Sequence, residues 1–177
     1  MNEAEFLDDV HNYNKQFIKL IEVNFMNKFS IYIRSILLPV IIGAIVGLIT
    51  SQFIDYSSLV QPPLAPPSAL FPIVWTILYI LMGVSYGILK SNEKTDKDVD
   101  AIYSAQLIVN YLWSFIFFVF KWRFLAILWI ILLAILVIIM IARFYRKDRI
   151  AGLLQIPYLL WVLFATYLTV GIYFLNK

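Results

Sequence analysis

The stretch QPPLAPPSALFPIVWTILYILMG, residues 61–83, sets five prolines within positions 62–72 and then runs uncharged to Gly83. Proline fixes its own φ, lacks an N–H, and pushes the preceding residue out of the helical region. Pro62, Pro63, Pro66 and Pro67 therefore forbid a helix and impose a shaped, extended loop. Pro72 differs, because a proline in the first turn of a helix gives up no hydrogen bond. A flexible tether would use Gly and Ser instead. A stiff loop leading into a membrane-length apolar run reads as a lid over something held between helices.

Composition agrees with a membrane setting. Of 177 residues, 62% are hydrophobic, 17% aromatic and only 14% charged, against about 25% charged in soluble domains. The absence of Cys excludes disulfides and thiolate metal sites. The single His, His11, lies in the polar N-terminal stretch and reads as structural. A net charge of +3 in such a chain reports loop charge and does not indicate nucleic-acid binding.

Crossing the hydrocarbon takes about 20 mainly apolar residues. Five segments qualify, near Ile31–Ile54, Leu70–Leu89, Ala101–Phe120, Phe124–Ala142 and Ile150–Leu175. They do not alternate polar and apolar residues, so they read as helices and not barrel strands. The fold class is an all-α membrane protein: a five-helix transmembrane bundle over residues 31–177, with the proline-rich first loop as its lid. Residues 1–30 form a separate cytoplasmic extension. In it Phe6, Val10, Tyr13, Phe17, Leu20 and Phe25 recur near helical spacing, which predicts an amphipathic helix on the inner membrane face. The acidic start, without an apolar core, is unlike a signal peptide.

Lys and Arg set the orientation. With the N-terminus inside and the C-terminus outside, the inner side holds eleven basic residues. These are Lys15, Lys19, Lys28, Arg34, Lys90, Lys94, Lys97, Arg143, Arg146, Lys147 and Arg149. The outer side holds three, Lys121, Arg123 and Lys177.

Three helices carry stripes at steps of three and four, so each stripe shares one face. They are Trp75, Tyr79, Met82 and Tyr86; Gln106, Asn110, Trp113 and Phe117; and Tyr158, Trp161, Ala165 and Leu168. Such stripes are more often plain packing. Two considerations favour a ligand pocket. Polar side chains inside a membrane find partners or functions. Bulky rings on facing helices also hold backbones apart, where packing alone would favour small residues. Gly43-x-x-x-Gly47 and Gly83-x-x-x-Gly87 are expected to mark close helix contacts, within one chain in preference to a homodimer seam, which stays open. No charged residue sits mid-span, which disfavours ion-coupled transport. Neither a catalytic triad, a carboxylate pair nor a phosphate loop can be assembled.

Three motifs in order resemble the translocator protein family (TspO, the tryptophan-rich sensory or peripheral benzodiazepine receptor family), over about residues 35–176. They are APPSALFPIVWTILYILMG, QLIVNYLWSFIFF and LLQIPYLLWVLFATYLTVGIYFLN. The resemblance implies five helices around a pocket that opens toward the first loop. It implies a bound porphyrin-like tetrapyrrole such as protoporphyrin IX, or benzodiazepine-type drugs, with membrane lipid as the remaining partner and no covalent cofactor. Cholesterol binding is a further implication, and Leu168, Tyr173 and Lys177 fit a loose sterol pattern that chance supplies readily. Trp75 and Trp161 match tryptophans implicated in light- and oxygen-dependent porphyrin breakdown, the enzymatic alternative. A tetrapyrrole or lipid transporter is the third reading. Asn110, Phe164 and Ala165 match pocket-lining positions.

The ligand-binding candidates are thus Trp75, Tyr79, Gln106, Asn110, Trp113, Phe117, Tyr158, Trp161, Phe164 and Ala165, with Tyr56 and Pro66 on the loop. A flat π-system stacks on aromatic faces, and indole, amide and phenol groups supply donors. Without His or Cys in the spans the common haem ligands are missing, which favours a metal-free tetrapyrrole. A short chain leans toward a bacterial plasma membrane. Several positions depart from the family pattern. Asp55 and Leu64 stand where it has Trp, Gln61 where it has a cation, Phe115 where it has Pro, and Thr169 where it has Asn.

Overall fold

The computed structural model describes the backbone of residues 3–53 and 58–177 and the side chains of residues 15–17, 19, 23–53 and 58–177. His11, the side chains of Phe6, Val10, Tyr13 and Leu20, and the loop residues Asp55 and Tyr56 lie outside the described set.

Six α-helices and one π-helical turn follow in order: α1 (Glu3–Ser51), α2 (Leu70–Ser91), α3 (Lys97–Ser114), the π-turn (Phe115–Val119), α4 (Arg123–Lys147), α5 (Arg149–Leu153) and α6 (Ile156–Leu175). Five apolar stretches are long enough to cross a membrane: Val23–Ser51, Leu70–Ser91, Lys97–Val119, Arg123–Lys147 and Arg149–Leu175. The chain is an all-α, five-span membrane bundle, as the sequence pattern requires. The expected boundary at residue 30 falls inside one uninterrupted helix, because neither Pro nor Gly occurs from Glu3 to Leu38. The apolar run Val23, Phe25, Met26 and Phe29 carries the first span eight residues earlier than Ile31.

Side chains sort as a lipid solvent demands. Met82, Leu89, Val137, Met140, Phe144, Tyr158 and Val162 are fully buried between helices. Ile73, Ile108, Leu128 and Ile138 point outward, where hydrocarbon receives them without penalty.

The glycines decide how α1 meets α2. A Cβ on Gly83 would run into the Ile36 backbone and stand 2.6 Å from the Ser35 carbonyl oxygen. That carbonyl lacks its usual helical partner, because Pro39 stands four residues on without an N–H. Gly87 faces the Tyr32 ring and Gly43 the Tyr79 ring, both too closely for a side chain. Gly47 breaks the expectation of close contact: a Cβ there would meet nothing within 4 Å. The two helices touch backbone to backbone at Gly83 and diverge beyond Gly43, toward the proline loop.

At the end remote from that loop, charges tie four helices together. Asp96 caps α3 by accepting from the Val99 N–H at 2.9 Å, and Lys147 reaches its other oxygen at 2.7 Å. Asp148 caps α5 through the Ile150 and Ala151 N–H groups at 3.0 and 3.2 Å, and Lys94 binds it at 2.8 Å. Arg143 pairs with Asp98 at 3.2 Å, and the Tyr86 hydroxyl donates to Asp100 at 2.7 Å. Lys94 first, then the capping N–H groups, holds the Asp148 carboxyl below the ordinary carboxylate range. Lys147, then the Val99 N–H, does the same for Asp96.

A carboxyl depressed in the folded state stabilises fully above its unfolded pKa of about 4 and loses that contribution as pH falls through the lowered value. The thermal midpoint in detergent should therefore stay level from pH 7 to about pH 5 on this account and drop below about pH 4. Asp148→Asn keeps the cap and removes the charge, so it should make the acid drop shallower. An unchanged acid profile would remove Asp148 from the explanation.

Candidate functional site

A cavity of about 510 Å³ lies between α1, α2, the α3 π-turn segment and α6, next to the proline loop. Its volume falls within the usual range for small-molecule sites. Aromatic rings form much of the wall: Phe71, Trp75 and Tyr79 from α2, Trp113, Phe117 and Phe118 from α3 and its π-turn, and Trp161 from α6. Among the described residues, none that lines it is charged.

Of the twelve candidates, six line this cavity: Trp75, Tyr79, Trp113, Phe117, Trp161 and Ala165. Phe164 instead faces a shallow apolar groove between α2 and α6, which shares Trp161 with the cavity. Tyr56 lies outside the described residues. Pro66 is half-buried in the loop but is not part of the wall.

Gln106, Asn110 and Tyr158 sit deeper and are almost wholly buried. They bond one another across the bundle. The Tyr79 hydroxyl donates to Asn110 Oδ1 at 2.9 Å. Asn110 Nδ2 donates to the Tyr158 oxygen at 2.9 Å, the Tyr158 hydroxyl donates to Gln106 Oε1 at 3.0 Å, and Gln106 Nε2 donates to the Tyr103 carbonyl at 3.1 Å. An amide oxygen only accepts and an amide nitrogen only donates, so this chain has one direction. It binds α2, α3 and α6 into the cavity floor. The amides expected to greet a ligand are taken up by the scaffold.

Two residues of the cavity wall carry buried donors without a partner, as do Tyr103 at Oη and Gln155 at Nε2 elsewhere in the interior. Trp113 Nε1 and Trp161 Nε1 are buried and make no hydrogen bond within the protein, and both residues line the cavity. A buried donor without a partner costs about 1–3 kcal/mol. The hydroxyls of the wall threonines are engaged, since Thr50, Thr76 and Thr169 return theirs to backbone carbonyls four residues back at 2.9, 2.8 and 2.7 Å.

Ring geometry holds the tryptophans in place. Trp75 stacks on Tyr79 with centroids 5.6 Å apart and meets the Tyr158 edge at 6.2 Å. Trp161 meets Phe71 edge-on at 5.9 Å. Trp113 stacks on Phe117 at 5.0 Å, and the Arg123 guanidinium lies 4.4 Å from the centre of that same ring.

Two parts of the site escaped the sequence reading. Phe118, in the π-turn at Phe115–Val119, lines the wall beside Phe117. The turn begins at the position where Phe115 replaces the family's Pro. The α1 wall, Val40, Gly43, Ala44, Gly47 and Ser51 among others, carries no aromatic stripe. Its only signal was small residues at helical spacing.

The loop is fastened to α6. The Val60 N–H donates to Asn176 Oδ1 at 2.9 Å, and Asn176 Nδ2 donates back to the Val60 carbonyl at 3.0 Å. The Tyr167 hydroxyl donates to the Pro63 carbonyl at 2.7 Å, and Pro62 packs where a side chain on Gly171 would stand. Leu64 is 84% exposed at a left-handed φ of 67° and contributes nothing to the wall.

Residues 35–175 match the model of the TspO/MBR family. The chain belongs to that family. It is 37% identical over 147 residues to "Tryptophan-rich protein TspO" of Archaeoglobus fulgidus, covering 81% of this chain and 95% of that one. It is 38% identical over 124 residues to the protein of the same name from Chlorobaculum tepidum, covering 68% and 78%. It is 34% identical over 111 residues to "Tryptophan-rich sensory protein" of Cereibacter sphaeroides, covering 63% and 70%. In this TspO/MBR member the cavity and the polar floor fall inside the matched segment.

Asn110→Leu removes two hydrogen bonds from the floor and leaves Tyr79 and Tyr158 seeking partners. At roughly 0.6–1.7 kcal/mol per bond in membrane bundles, unfolding in detergent should become easier by about 1–3 kcal/mol. A midpoint equal to that of the parent protein would show that the chain does not brace the floor.

Proposed function

We propose that this TspO/MBR membrane protein binds and senses flat, largely apolar ligands of the tetrapyrrole class in the aromatic cavity. One observation carries the reading: seven aromatic side chains wall a cavity whose described lining is uncharged, and two of them, Trp113 and Trp161, keep buried N–H groups without a protein partner. Such a wall suits stacking against a π-system, and the indoles suit acceptor atoms on its rim. Among the described residues neither His nor Cys lines the cavity, and the tyrosine that does, Tyr79, donates its hydroxyl to Asn110 Oδ1. That donor set favours a metal-free macrocycle over haem. Ionised carboxylates find no cation in the wall, so they belong at its margin. The sensing half of the reading draws on the printed name of the Cereibacter relative.

The test is titration with protoporphyrin IX, followed by the absorption of the macrocycle. The double variant Trp113→Phe, Trp161→Phe keeps the rings and loses both donors. At about 1 kcal/mol or more for each lost hydrogen bond, affinity should fall about tenfold or more. Unchanged affinity would overturn the assignment of the indoles.

We further place the chain in a bacterial plasma membrane with its N-terminus inside, supported by eleven basic residues against three. Because the chain has no Cys, single cysteines report sidedness directly. On intact cells an impermeant maleimide should label Lys121→Cys and spare Lys97→Cys. The reverse pattern would invert the topology.

A further inference from the structure

We infer that the cavity takes its ligand sideways from the bilayer, through a slot between the loop-proximal halves of α1 and α2, and that Gly47 sets the width of that slot. This rests on the binding reading above and extends it to the kind of ligand admitted: one already dissolved in the membrane.

Exposure locates the opening. Cavity-lining residues that are also exposed fall on α1 (Ala44, Gly47, Leu48 and Ser51), at the start of α2 (Pro72 and Thr76) and, next to them on the loop, at Ser68. Every lining residue on α3, the π-turn and α6 is buried or half-buried. Other seams are tied. The Tyr111 hydroxyl donates to the Pro39 carbonyl at 3.1 Å and links α3 to α1. Asn176 and Tyr167 hold the described part of the loop on α6. The α1–α2 seam itself is shut at Gly83 and Gly43, yet one turn past Gly43 the space beside Gly47 is open.

Both edges of the slot belong to membrane spans, so it faces hydrocarbon. The hydroxyls on its two helical edges are bonded to their own helices. Ser51 Oγ donates to the Leu48 carbonyl at 2.7 Å, and Thr76 Oγ1 to the Pro72 carbonyl at 2.8 Å. The two helical edges thus present carbon to a passing ligand, and Trp113 and Trp161 stand on the far wall. A flat apolar molecule with an acceptor on its leading edge can slide in from lipid without crossing a polar threshold, and its ionised substituents trail at the mouth.

The test is stopped-flow binding of protoporphyrin IX to protein in lipid nanodiscs. Gly47→Leu places its side chain in open space, so the bundle should fold as before. Ser51→Leu narrows the same edge one turn on and serves as a second probe. Each should slow association at least about tenfold and slow dissociation alongside it, so that Kd moves less than either rate. Asn176→Ala, which frees the loop, should leave association unchanged. Faster association in Asn176→Ala, with no slowing in either slot variant, would move the entrance to the loop and overturn the inference. A parent protein that takes up no probe at all would sink the binding reading, and the route with it.

Discussion

The architecture turns on one contact: Gly83 of α2 laid directly on the backbone of α1 at Ser35 and Ile36. Lipid supplies no hydrophobic force between helices, so close backbone approach and buried hydrogen bonds must hold them together. Pro39 strips the helical partner from the Ser35 carbonyl at this same place. From the contact outward, Gly87 and Gly43 accept the rings of Tyr32 and Tyr79. Past Gly43 no side chain fills the seam beside Gly47, and the diverging helices leave the space that becomes the cavity.

The polar groups of the interior divide by role. Amides and phenols close on each other in a one-way chain from Tyr79 to the Tyr103 carbonyl, joining α2, α3 and α6. Trp113 and Trp161 of the wall keep buried N–H groups without partners, as do the Gln155 amide and the Tyr103 hydroxyl elsewhere in the interior. In a medium without water a satisfied chain stiffens its surroundings, whereas an unsatisfied donor keeps a standing demand for an acceptor. Rigid floor and ring-lined wall together give a preorganised cavity.

The two ends of the bundle are held by different means. At the loop end Asn176 and Tyr167 bond to backbone groups of the proline segment, and proline stiffness lets a few bonds position a long connection. At the other end acidic caps double as ion-pair partners, so Asp96 and Asp148 each start a helix and join it to a neighbour. Exposed pairs of this kind contribute modestly one by one, but here they brace helix starts that the membrane leaves uncovered.

Hydropathy, proline and linked motifs are local properties, so the solvent, the five spans, the rigidity of the loop and the family could all be read from the order of residues. Helical spacing also brought Trp75, Trp113, Phe117 and Trp161 forward as wall residues. How the polar candidates are used was settled by packing. Gln106, Asn110 and Tyr158 looked like ligand donors, yet each lies within bonding reach of another helix and is satisfied there. Packing alone separates Gly43 from Gly47, since identical residues one turn apart differ solely in what the next helix brings near. The π-turn leaves no trace in spacing either, for a change of helical pitch is fixed by the packing around it and not by the residues it carries.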